Sequence, residues 1–105
     1  MLITIDTGGT KTLVASFNKD GIPGEQIKFA TPKDSSDYVK LLRNTLQENY
    51  SGQSVDAIVL ALPGIIKNGI AVWCNNLKWK NFDAANALKG VLGDAPIIVE
   101  NGGSG

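Results

Sequence analysis

The sequence predicts an α/β domain on a mixed β-sheet, with three antiparallel N-terminal strands and flanking helices. Three observations carry that prediction. In the N-terminal third, Leu13, Ala15 and Phe17 alternate with Thr12, Val14 and Ser16, the period of a half-buried strand. Between residues 34 and 50 the period lengthens to three and four, placing Val39, Leu42, Leu46 and Tyr50 on one side of a helix. Two later runs, residues 55–62 and 96–100, are almost wholly apolar, as expected for strands of a parallel sheet covered on both faces.

Taken in order, residues 2–6 form a short apolar strand that ends in the carboxylate of Asp6 and runs into Thr7-Gly8-Gly9-Thr10. A second strand spans residues 11–18. Asp20-Gly21 marks a turn, and Ile27, Phe29 and Thr31 continue as a third strand that Pro32 closes. Short Gly-containing turns between these three make an antiparallel meander. Asp34 or Ser35 caps the following helix and Gly52 supplies its stop. Residues 55–62 form a central strand ended by Pro63-Gly64. Residues 66–73 hold one or two short strands around Lys67-Asn68-Gly69. A second helix is expected over residues 83–92, weakened by Gly90 and stopped by Gly93. Residues 96–100 make the last strand. The strands starting at Leu2, Val55 and Ile97 are expected to run parallel in the sheet centre. This order of elements is that of one ribonuclease-H-like domain, the unit found in each half of the actin, hexokinase and heat-shock ATPase class.

Composition narrows the partners. The 105 residues suit one domain, able to bury about 65% of the surface of its unfolded chain. With 43% hydrophobic and 19% charged residues the chain is not a disordered one. Lys+Arg and Asp+Glu each number 10 and are interspersed, which argues against a nucleic-acid or anionic-membrane partner held by bulk charge. The single Cys74 allows no internal disulfide, and with no histidine a zinc site is not expected. No apolar run is long enough to span a bilayer, and the N-terminus lacks the features of a signal peptide, so a cytoplasmic protein is expected. Residues 1–101 read as the domain. The small residues Gly102-Gly103-Ser104-Gly105 read as an engineered tail, with a natural Gly-rich loop as the alternative.

The chemistry-bearing stretch is Asp6-Thr7-Gly8-Gly9-Thr10-Lys11. Glycines in a tight turn let backbone N–H groups approach a ligand and hold phosphate oxygens. A carboxylate at the end of the preceding strand can organise a hydrated magnesium ion beside them. The stretch is neither a Walker A loop nor a dinucleotide fingerprint, because a strand and not a helix follows it. Read from residues alone, it fits a phosphate-binding hairpin and a plain Gly-Gly hairpin with a solvated aspartate equally well.

Four ordered motifs decide between these. Asp-x-Gly-Gly-Thr-Lys at residues 6–11 resembles the phosphate motif of the ROK sugar kinases, repressors and open reading frames. Pro63-Gly64 after the central strand, Asn75-Asn76-Leu77-Lys78-Trp79 and Val99-Glu100-Asn101 are similar to that family's later motifs, the Asn-Leu-Trp segment having one spacer residue fewer than is common. The resemblance covers residues 2–101. It implies MgATP held by Asp6, Gly8, Gly9, Thr10 and Lys11, with Asp6 reaching Mg2+ through water. It implies a hexose or N-acetylhexosamine held by Gly64, Asn75 and Asn101. Each asparagine has a plainer reading as a turn cap, Asn76 most of all, and Lys11 a plainer one as a solvated strand residue. Glu100 is expected to hold the strand end, Trp73 and Trp79 to be core, and Cys74 to be a buried small hydrophobe. The family's catalytic aspartate follows the Glu-Asn pair, and here that position is Gly102. Loss of such a base costs about 10²–10⁴ in rate. The family's second domain, with the adenosine site, lies beyond this segment, so an inactive kinase fragment is expected. The alternatives are the effector domain of a sugar-responsive ROK regulator and an isolated half-domain that self-associates as a homodimer. Regulators usually carry a DNA-binding extension before this domain, so the kinase branch is favoured.

Overall fold

A computed structural model describes residues 1–63, 65–67, 70–73 and 79–101. Its elements are β1 (Leu2–Thr7), β2 (Lys11–Phe17), β3 (Ile27–Ala30), α1 (Ser35–Tyr50), β4 (Ala57–Leu62), β5 (Ile65–Lys67), β6 (Ile70–Trp73), β7 (Lys80–Asp83), α2 (Ala84–Leu88) and β8 (Ile97–Asn101). They form a five-stranded sheet in the order β3-β2-β1-β4-β8 and a three-stranded sheet β5-β6-β7. In the larger sheet β1, β2 and β3 are antiparallel, while β1, β4 and β8 run parallel. This is the mixed α/β sheet that the alternation and apolar runs predict.

One face of this sheet makes the core. Ile3 and Ile5 of β1 lie in register with Ile58 and Leu60 of β4, and Val14 of β2 opposes Ile5; all five are fully buried. Helix α1 lies over them with Tyr38, Leu42, Leu46 and Tyr50. Burying a side chain of this size contributes about 1.5–3 kcal/mol. The helix starts where Asp34 accepts hydrogen bonds from the N–H groups of Ser36 (2.7 Å) and Asp37 (3.4 Å), which satisfies two donors that a first helical turn leaves unpaired. Its inward row begins at Tyr38, not at Val39, which is only half-buried. The 38–42–46–50 spacing repeats every four residues and keeps one stripe on the sheet.

Three expectations need correcting. Residues 57–62 alternate between buried and half-buried positions, so one face of this strand is fully covered and the other only in part. Their apolar character on both faces therefore exceeds what the described fold buries. The last strand, β8, sits at the sheet edge and not in its centre. The second helix is one and a half turns, Ala84–Leu88: Lys89 leaves the helical region with ψ 130°, and Gly90, at a left-handed φ of 77°, completes the turn that Val91 N–H closes onto the Leu88 carbonyl. A strand the periodicity missed, β7, precedes it and pairs with β6. No helix among the described residues is long and apolar enough to cross a membrane.

Candidate functional site

The carboxyl ends of the parallel strands β1, β4 and β8 lie side by side, and ligands of open α/β sheets bind at that end. Strand register places Asp6 beside Ala61, Ala61 beside Glu100, and Leu62 beside Asn101. Asp6, Glu100 and Asn101 are all exposed there. The sequence-predicted phosphate residues and one predicted sugar contact thus share one rim of the sheet, separated by the width of β4. Gly64, Cys74, Asn75, Asn76 and Gly102, and the side chain of Trp73, lie outside the described residues. Trp79 is buried to 1% exposure, the core position expected of it.

Between β1 and β2 the chain turns as a tight hairpin. Gly8 N–H donates to the Lys11 carbonyl at 2.9 Å and closes the turn. Thr31 N–H donates to the Thr10 carbonyl at 3.0 Å and ties its far side to β3. The N–H groups of Gly9 and Thr10 make no backbone bond among the described residues, and donors of that kind are what a phosphate needs. A Cβ on Gly8 would stand 3.1 Å from the Lys11 carbonyl oxygen. Glycine is favoured at this position by space and not by backbone conformation, since neither Gly8 nor Gly9 has a left-handed φ. Thr10 and Lys11 are exposed at the tip and line a shallow recess of about 290 Å³ with Lys28, Phe29 and Ala30. A larger recess, about 470 Å³, lies at the other end of the sheet beside Lys89 and Pro96 and holds none of the candidate residues.

Beneath the hairpin are two buried hydroxyl pairs that periodicity could not reveal. Thr7, the last residue of β1, is 3% exposed, and its Oγ1 lies 2.6 Å from the Tyr38 hydroxyl on α1. Thr12, fully buried at the start of β2, has its Oγ1 2.7 Å from Thr31 Oγ1. Buried polar groups are costly unless paired, and these are paired with each other. The hairpin is held from the helix side by one pair and from the β3 side by the other. The available signal was polar: threonines at residues 7 and 12 occupy inward positions that continue the Ile3-Ile5 and Val14 rows.

A carboxylate exposed at a strand end, beside two unengaged backbone N–H groups and a lysine, suits a hydrated divalent cation with a polyphosphate. Among the described residues no three His, Cys, Asp or Glu side chains cluster as a direct metal site. The donor set thus fits a cation held through water better than one held by protein ligands alone.

Comparison with known proteins gives the family and the fold. The ROK family model matches residues 2–102. The fold is similar to that of a ROK family glucokinase from Streptomyces griseus crystallised with glucose and AMPPNP: TM-score 0.82, 22% identity, covering 95% of this chain and 32% of that one. An inorganic polyphosphate/ATP-glucomannokinase from Arthrobacter sp. strain KM matches with TM-score 0.76 and 26% identity, over 95% of this chain and 43% of that one. A ROK family transcriptional regulator, a homologue of the E. coli MLC protein, matches with TM-score 0.79 and 19% identity, over 95% and 28%. The chain thus spans well under half the length of these structures. No curated protein matches it.

Proposed function

This chain belongs to the ROK family, and from that premise we propose that it is the phosphate- and sugar-facing half of a cytoplasmic, ATP-dependent sugar kinase. The observation that carries the reading is the shared rim: the Asp6–Lys11 hairpin and Asn101 stand at the carboxyl ends of the parallel strands β1 and β8, which flank β4. Support comes from the glucokinase bound to glucose and AMPPNP and from the glucomannokinase that uses ATP or polyphosphate.

In this reading the N–H groups of Gly9 and Thr10 and the Lys11 ammonium hold the phosphates of ATP, while the space at Gly8 lets them approach. Asp6 orients a hydrated Mg2+, which supplies charge neutralisation on the phosphates when bound. Gly64, Asn75 and Asn101 meet a hexose or N-acetylhexosamine, because an amide donates and accepts to neighbouring hydroxyls at once. Position 102, where the family's proton-accepting aspartate is expected, is glycine, so the 105-residue chain binds without turning over.

A second reading, the sugar-sensing domain of a regulator, is supported by the likeness to the transcriptional regulator. Titration calorimetry separates the two. The kinase reading expects AMPPNP to bind weakly in the presence of magnesium and to be lost on Asp6→Asn. Binding of sugar alone, with no nucleotide heat at millimolar concentration, would favour the regulator. A coupled assay with ATP, magnesium and a panel of hexoses is expected to stay at background, and mutation-sensitive turnover would refute the assigned role of position 102.

A further inference from the structure

We infer that Tyr38 is a positioning residue that couples the occupancy of the β1–β2 hairpin to Trp79 at the head of the small sheet. Thr7 closes β1 immediately before Gly8, and its hydroxyl is 2.6 Å from that of Tyr38. The Tyr38 ring in turn lies 4.6 Å, centroid to centroid, from the Trp79 indole, tilted by 44°. Phe82 completes the cluster, 6.2 Å from Tyr38 and 5.3 Å from Trp79, both edge-on. Trp79 is pinned at its far side, where Nε1–H donates to the Lys33 carbonyl at 3.0 Å. Tyr38 has no exposure and Trp79 only 1%.

A valine would fill the Thr7 site with the same shape, so the hydroxyl's distinct contribution is its directional bond to α1. That bond lies in apolar surroundings, where a hydrogen bond is stronger than in water. The rings beyond it are close-packed, and a packed interior passes a displacement on because it has no free volume to absorb it. Phosphate drawing in the Gly8–Thr10 backbone therefore moves Thr7 and Tyr38, and Trp79 registers the motion. The second hydroxyl pair instead ties Thr12 to Thr31, just past the end of β3. This inference rests on reading the hairpin as a phosphate site.

The test is a nitrogen-resolved NMR titration of the 105-residue chain with sodium tripolyphosphate and magnesium. In the parent chain, the Gly8 and Gly9 amides and the Trp79 indole N–H are expected to shift along one saturation curve. In Tyr38→Phe the glycines still shift, with affinity reduced about tenfold, a loss of the order expected for one hydrogen bond, while the indole no longer follows. Thr7→Val at the other end of the bond should behave alike, and Thr7→Ser should restore the coupling. The Thr7 pair keeps the question decidable if Tyr38→Phe does not fold. Glycine shifts without an indole shift in the parent chain, or an indole that still follows in Thr7→Val, overturn the coupling and leave the phosphate site intact. If the glycine amides themselves do not shift, the phosphate reading falls and the coupling falls with it.

Discussion

Replacing Gly8 by alanine separates space from strain at the hairpin. The new Cβ would sit 3.1 Å from the Lys11 carbonyl oxygen, about 0.3 Å inside ordinary contact distance. That oxygen is backbone and cannot swing away, so the turn must open. The Gly8–Lys11 bond that closes the turn, 2.9 Å long, is worth about 0.5–1.5 kcal/mol. Against its weakening stands a gain of about 0.4–1 kcal/mol from a less flexible unfolded chain. The two nearly cancel, and Gly8→Ala is expected to shift the melting temperature by less than about 4 °C. Gly90→Ala is the counterpart. Nothing lies within 4 Å of its new methyl group, but φ is +77°, and a left-handed alanine costs about 1–2 kcal/mol. That corresponds to a fall of roughly 4–8 °C or more. Tripolyphosphate binding should show the reverse order: weakened tenfold or more in Gly8→Ala, unchanged in Gly90→Ala. Thermal scans and NMR titrations on the same samples read both. Equal binding in Gly8→Ala and the parent would refute the claim that spacing at residue 8 is what admits the ligand.

Further outcomes are open to measurement. Leu60 is fully buried between Ile5 and Val99 in register, so Leu60→Ala should cost about 2–5 kcal/mol in a urea titration; a loss below 1 kcal/mol would contradict that packing. The Asp56 carboxylate lies 2.8 Å from the N-terminal ammonium of Met1, whose hydrogen bond and charge hold its pKa below the ordinary value. A lowered folded-state pKa gives stability that is present above the unfolded value, about 3.9, and is lost as pH falls through that value towards the folded one. Asp56→Asn should flatten this acid limb slightly and leave neutral stability almost unchanged, the carboxylate being 73% exposed. Leu2 and Ile98, 38% and 44% exposed, lie on the sheet face opposite Ile3, Ile5 and Ile58, and light scattering at tens of micromolar is expected to find dimers that Ile98→Lys disperses. Identical masses for parent and variant would remove that face from any interface.

What the sequence made legible was what depends on neighbours along the chain. Alternation in residues 11–17 and the three- and four-residue spacing up to Tyr50 locate β2 and α1 closely, with Asp34 one of the two caps the sequence offers. The Asp6–Lys11 hairpin is readable because strand, glycine pair and strand are consecutive. Features set by distant partners were hidden. The four residues Lys80-Asn81-Phe82-Asp83 have weak strand preferences, and their strand exists through pairing with β6. Tyr38 passed unnoticed because its hydroxyl partner is 31 residues away. The apolar run at residues 57–62 says that both faces can be covered and does not say by what.

The parallel seam has a history in time as well as a place in space. Strand β1 is made first, yet its partner on one side is β4, with Leu2 paired to Ala57. β2 can close onto β1, and β3 onto β2, as soon as they leave the ribosome, whereas that second edge must wait until α1 and everything before residue 57 has been synthesised. At about 5–20 residues per second the delay lasts a few seconds. Throughout it, Ile3 and Ile5 and a row of unpaired backbone groups stand open to any other strand. Pairing across long separations is also slow in itself, because loop closure must precede the contacts that reward it. The nascent meander is therefore the stage at which this chain is most exposed to pairing with a neighbour, and a chaperone that shields a short apolar strand would act there.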